Sequence, residues 1–156
     1  TMSKRIYIDT SVFGGYFDEM FAADTFVFFE GIKRDGHTIL VSTLLLAEIS
    51  MAPLMVQELL AAIPQGQIEQ ITLSQEAILL GDKYIEEKVV GRTSRADCQH
   101  IAMATINRAD VLVSWNFKHI VNLNRIRGYN GINYQLGYGM IEIRTPKEVV
   151  DYGNES

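Results

Sequence analysis

Apolar residues recur along this chain in two alternating rhythms. Short apolar runs closed by a polar residue suit buried strands, and apolar residues three or four apart suit helix faces. Arg5 to Ile8 is the first run, closed by Asp9. A cap at Asp24 or Thr25 should start a helix through about Arg34, with Phe26, Phe29 and Ile32 on one face. Asp35-Gly36 is a turn signal, and Thr38 to Val41 is a second strand. Ser42 or Thr43 can cap a helix carrying Leu45, Leu46, Glu48 and Ile49, and Pro53 ends it or opens another to about Ile63. Pro64 to Gly66 turns the chain, and Ile68 to Leu73 alternates weakly as a strand.

Ser74, with Glu76 in the first turn, caps an expected helix to about Val90, which Gly91 ends. Ser94 is the expected cap of a helix from Arg95 to about Arg108. Val111 to Val113 reads as a buried strand, Asn130-Gly131 as a turn, and Met140 to Ile143 as a last strand. Thr145-Pro146-Lys147-Glu148 is a capping box with proline at the first helical position. Strands alternating with helices imply an α/β fold whose central, mostly parallel sheet is flanked by helices. The crevice of such a sheet lies beyond the carboxyl ends of its strands, so polar residues that directly follow strands carry the functional weight.

Composition narrows the picture. The 156 residues, 47% hydrophobic and 21% charged, suit a single domain, expected over residues 2–153. Cys98 is the only cysteine, so no intrachain disulfide can form, which fits a reducing compartment. No apolar run approaches the ~18 residues of a membrane span. The chain passes from Lys4-Arg5 through three apolar residues to Asp9, too few for a signal-peptide core, and a cytoplasmic protein without membrane contact is expected. The net charge of -5 argues against nucleic-acid binding by bulk electrostatics. It is compatible with a nuclease whose acids sit on cations.

Candidate chemistry lies in the acids. Asp9 follows the first strand, with hydroxyls at Thr10 and Ser11; alone it could be a turn cap. Glu48 stands between Ala47 and Ile49 in an apolar helical stretch, and a partly buried carboxylate there needs a metal or a basic partner. Asp97 opens a late helix, where the helix dipole alone would also explain an acid. Asn116 and Ser114 follow the strand Val111-Leu112-Val113. Topology can bring all of these to one end of a sheet. Clustered carboxylates favour a hard cation such as Mg²⁺ or Mn²⁺, and the scattered histidines make no zinc pattern.

In these motifs the chain resembles the PIN-domain nucleases, especially the VapC-like toxin ribonucleases of toxin–antitoxin pairs. The resemblance is carried by Ile8-Asp9-Thr10-Ser11, by Ser42 through Glu48, by Asp97 through Ala104, and by Leu112-Val113-Ser114-Trp115-Asn116. It implies a three-layer PIN-like fold and a Mg²⁺- or Mn²⁺-dependent endoribonuclease acting on RNA. Asp9, Glu48, Asp97 and Asn116 would be the catalytic and metal-binding residues, with Thr10, Ser11 and Ser114 in support. It also implies an antitoxin protein as partner, with a homodimer expected. The family often has an acid where this chain has Asn116, so a degenerate PIN domain that binds RNA or a protein without cleavage is the alternative. A phosphatase of the haloacid-dehalogenase type would want an acid at Ser11.

Arg92, Arg95 and Lys118, with His119, flank the acids as candidate phosphate contacts, or else form surface ion pairs with Glu86 and Glu87. His100 reads as a packing or surface histidine, Trp115 as core, and Met51, Met55 and Met103 as core filler. The tyrosine-rich stretch Gly128 to Gly139 reads as an ordered loop whose tyrosines pack on the domain or stack on RNA. Phe13, Tyr16, Phe17 and Phe21 divide between core and a partner surface.

Overall fold

The computed structural model describes residues 3–154. Its elements run β1 (Arg5–Ile8), α1 (Thr10–Gly15), α2 (Ala22–Asp35), β2 (Thr38–Ser42), α3 (Thr43–Ser50), α4 (Leu54–Ala61), β3 (Ile68–Ile71) and α5 (Gln75–Glu86). There follow α6 (Arg95–Ile106), β4 (Val111–Val113), α7 (Leu123–Gln135), β5 (Ile143–Arg144) and α8 (Pro146–Asn154), with short 3-10 turns at Gln65–Gln67 and Arg92–Ser94. The strands form one sheet in the order β3-β2-β1-β4-β5. Every neighbouring pair is parallel.

Alternation along the strands builds a core on each face. Tyr7, Leu40 and Leu112 point to one side, among Leu80 and Tyr84 of α5, Ile101 of α6 and Tyr129 of α7. Ile6, Ile8, Ile39, Val41 and Val113 point to the other, against Phe28 and Phe29 of α2, Leu45 of α3 and Leu60 of α4. A parallel sheet covered on both faces is why its strands read as continuous apolar runs. The chain leaves β1 for β2 on one side and later returns to β4 on the other. A crevice therefore opens over the carboxyl ends of β1 and β4.

Several elements depart from the expectation. α1 had no sequence signal, because its two glycines, with Thr10, Val12 and Phe13, are poor helix formers. Gly15 is there because Trp115 presses on it: a Cβ at this position would lie 2.6 Å from Trp115 Cδ1. α2 begins at Ala22, so Thr25 is an interior residue rather than a cap. Its hydroxyl donates to the Phe21 carbonyl and accepts from the Trp115 indole. Asn130-Gly131 is not a turn, and the tyrosine-rich stretch is not a loop as far as Gln135. Both lie in α7, capped by Asn122 and anchored by buried Tyr129, Ile132 and Asn133. The Asn130 amide clamps the backbone N–H and carbonyl of Ile141. That spares the last strand a longer ladder, and it shrinks to Ile143–Arg144.

α5 stops at Glu86, and Lys88 takes a left-handed conformation before Gly91 is reached. α6 likewise ends at Ile106, ahead of a left-handed Arg108. Met51 and Met55 are 87% and 52% exposed, and only Met103 fills the core. The capping box of α8 forms in both directions between Thr145 and Glu148.

Candidate active site

Asp9 is the N-cap residue of α1 and is almost wholly buried. Its backbone N–H donates to the Val113 carbonyl, extending the β1–β4 ladder by one bond. Its Oδ2 accepts from two hydroxyls, Ser114 at 2.7 Å and Ser11 at 2.8 Å. Each hydroxyl in turn accepts a backbone N–H, Ser114 from Asn116 and Ser11 from Trp115. A bent segment after β4 thereby fixes a carboxylate at the end of β1. Each serine oxygen both gives and accepts, so neither is left unsatisfied.

Glu48 lies on α3, which Ser42 caps by accepting the Leu45 N–H. Its Oε1 accepts from the Thr10 hydroxyl at 2.8 Å and lies 2.5 Å from His100 Nε2. His100, read from the sequence as a packing or surface residue, is 1% exposed and stands between two acids, its Nε2 also 3.8 Å from Asp9 Oδ1. The available signal was its spacing of three from Asp97, one helical turn. Burial alone would raise the pKa of Glu48, but the hydrogen bond and charge of His100, with the Thr10 hydroxyl, outweigh it and hold it below the usual carboxylate value. For His100, burial lowers the value, and the Glu48 hydrogen bond with the charges of Asp9, Glu48 and Asp97 more than reverses this.

Asp97, in the first turn of α6, behaves oppositely. Burial first, and then the charge of Asp9, hold it above the usual carboxylate value, against His119, His100 and a hydrogen bond from Asn116. The Asn116 Oδ1 accepts the His119 N–H at 3.0 Å, which leaves its NH₂ to face Asp97. Asp9 and Asp97 are thus close enough to repel, while Glu48 is drawn to His100. Among the described residues no lysine or arginine pairs with any of the three acids.

The donor set suits a hard divalent cation. Asp9 and Glu48 each commit one oxygen to hydrogen bonds and keep the other, Oδ1 and Oε2, free of hydrogen bonds among the described residues, with His100 Nε2 3.8 Å from Asp9 Oδ1. Asp97 is an anion that a cation would favour. Among the described residues, however, no three Asp, Glu, His or Cys side chains form a ready cage.

The candidate phosphate contacts lie on the segments that lead into α6 and follow β4. Ser94, instead of capping α6 with its side chain, bonds His119 Nδ1 at 3.0 Å and so joins the Arg92–Arg95 segment to Lys118 and His119. Arg92 and Lys118 are exposed, and Arg95 lies 3.4 Å from Asp82. Glu86 and Glu87 pair with Lys83 instead. Trp115 is core, stacked on Phe21 at 4.3 Å. Tyr129 is buried and donates to the His119 carbonyl, while Tyr134 is exposed. Phe13 is core and Phe17 is 43% exposed.

No protein-family model matches the chain, and no curated protein matches it in sequence. Solved structures do match. A chain of VapBC2 from Rickettsia felis, bound to a DNA fragment from their promoter, is 16% identical with a TM-score of 0.57, over 90% of this chain and 98% of that one. A chain of DNA-bound VapBC from Salmonella typhimurium is 16% identical with a TM-score of 0.54, over 93% and 99%. Among the described residues no helix is long and apolar enough to cross a membrane. With its five-stranded, all-parallel sheet flanked by helices, the chain has the three-layer PIN-like fold of these VapBC structures.

Proposed function

We propose that this protein is a metal-dependent endoribonuclease, the toxin component of a toxin–antitoxin pair. The observation that carries the reading is the meeting of Asp9 and Asp97 at the carboxyl end of a parallel sheet, with burial and mutual repulsion opposing the charge of Asp97 and no basic side chain paired with it among the described residues. Asp9, Glu48 and Asp97 would hold Mg²⁺ or Mn²⁺, with Asn116 beside them. When bound, the ion supplies a water of lowered pKa and offsets charge on the phosphodiester and its leaving oxygen.

The chain's own groups do the rest. Ser11 and Ser114 hold Asp9 through one oxygen, and Thr10 does the same for Glu48. Asn116 hydrogen-bonds Asp97 and adds no negative charge of its own. Arg92, Arg95 and Lys118 meet the RNA backbone and hold the scissile phosphate over the acids. The DNA-bound VapBC neighbours support an antitoxin as the protein partner of this chain.

Incubation of defined single-stranded and structured RNAs with the wild type and with Asp97→Asn, in Mn²⁺ or in EDTA, tests this. Cleavage by the wild type with Mn²⁺ alone is the expected result. Absence of cleavage, with RNA still retarded in a gel, would favour a PIN-like domain that binds without cutting. That second reading has its own support in Asn116 and in the capture of Glu48 by His100.

A further inference from the structure

One buried chain of polar groups is left over once the acids and their serines are accounted for. Ser42, Tyr7 and His100 are all 1% exposed or less, and they come from β2, β1 and α6. Tyr7 Oη lies 3.0 Å from Ser42 Oγ and 2.5 Å from His100 Nδ1. His100 Nε2 then reaches Glu48 Oε1 at 2.5 Å. We propose that Tyr7 and His100 are positioning residues for Glu48, acting through the hydrogen-bonded relay Ser42–Tyr7–His100–Glu48.

The direction of the relay follows from which atoms can give a proton. An ionised carboxylate only accepts, so Nε2 must carry the hydrogen shared with Glu48. Ser42 Oγ already accepts the Leu45 N–H, so its own proton is available for Tyr7. While the imidazole is neutral, Tyr7 then gives its proton to Nδ1. In this direction every buried hydroxyl proton has an acceptor, and among the described residues no buried side-chain polar atom lacks a partner. The edge of the imidazole also packs against the phenol ring, at a centroid distance of 5.6 Å, which fixes the plane in which Nε2 points.

The arrangement has a clear mechanical effect. Tyr7 precedes Asp9 by two residues, Ser42 caps the helix that carries Glu48, and His100 follows Asp97 by three. The relay therefore ties together the three segments that bring the acids. An acid on α3 needs this, because its side chain is a third exposed and Thr10 alone would leave it free to turn. Groups that orient a metal-binding side chain by its rear typically change affinity ~10–100-fold when removed, without touching the ion. For metal affinity, though not for Glu48 placement, the inference rests on the nuclease reading above.

Two measurements test it on the intact chain. In the first, ¹⁵N NMR of the metal-free protein should show a proton on His100 Nε2, slow to exchange. Tyr7→Phe should speed that exchange by ~10-fold, about the worth of one hydrogen bond. A bare Nε2, or exchange unchanged in Tyr7→Phe, would overturn the proposal whether or not the protein binds metal. In the second, Mn²⁺ titration followed by electron paramagnetic resonance should show affinity falling ~10-fold in Tyr7→Phe and further in His100→Ala. His100→Gln, whose amide nitrogen can replace Nε2, should recover most of the loss. Equal losses in Gln and Ala would reduce His100 to a packing residue. A wild type that takes up no Mn²⁺ while the NMR result holds would sink the nuclease reading and leave the positioning role standing.

Discussion

The two ends of the sheet treat acidic residues in opposite ways. At the amino end, Arg5 reaches across to Glu69, 2.7 Å away, and donates to the carbonyls of Asn107 and Arg108. The Arg5 N–H donates to Asp110, and the Arg5 hydrogen bond holds Glu69 below its usual pKa. Those charges are partly exposed and matched, and they tie β1 to β3 and to the turn before β4. At the carboxyl end the acids are more buried, and among the described residues only His100 pairs with any of them. Charge that is neutralised in place serves structure. Charge left under tension at a crevice is available to a ligand.

The largest expected effect breaks this contrast at its centre. Asp97→Asn should reduce Mn²⁺-dependent RNA cleavage at least ~100-fold, consistent with loss of a group acting on the transition state. A gel assay with defined RNA checks it, and retained activity would remove Asp97 from the site. Next comes the scaffold of the crevice. Gly15→Ala should drive a methyl into Trp115 and destabilise the fold by about 1–3 kcal/mol, read by urea denaturation. Neutralising Arg95 and Lys118 together should lower the slope of log K against log salt for RNA by ~1.4, if both contact phosphate. An unchanged slope would leave Arg95 to Asp82.

Stability against pH should separate the two half-buried acids. Glu48 is held below its usual pKa, so its contribution is present above the usual carboxylate value and disappears as pH falls through the lowered one. Glu48→Gln should therefore melt lower than wild type at neutral pH and converge with it in acid. Asp97 is held above its usual value, so stability is lost as pH rises through that raised pKa. Asp97→Asn should melt ~1–3 °C higher at neutral pH, with no gain below the usual carboxylate range. Smallest of all, Arg5→Ala at the amino end should cost roughly 0.5–1 kcal/mol, because the pair is over a third exposed and screened by solvent. It should leave Mn²⁺ affinity untouched.

How much of this was legible depended on range. The α/β alternation and the strands Arg5–Ile8 and Val111–Val113 were readable because buried parallel strands are unbroken apolar runs. The caps at Ser42 and Ser74 were readable because they are local. α1 and the glycine-bearing α7 were not. Their helicity comes from Phe13 and Tyr129 packing on distant partners, which overrides weak propensity. Within the crevice, Asp9 and Ser114 could be placed by topology. The reach of His100 to Glu48 spans 52 positions and depends on the turn of α6, which no local pattern encodes.

The order of the strands sets when the crevice can exist. Asp9 borrows its hydroxyl from Ser114 across 105 positions, and β1 has no neighbour on that side until β4 arrives. The first two thirds of the chain carry all three acids with Thr10, Ser11 and His100, but lack β4 and with it Ser114 and Asn116. Assembly of the crevice therefore waits for β4 to leave the ribosome, although every acid in it has emerged by then.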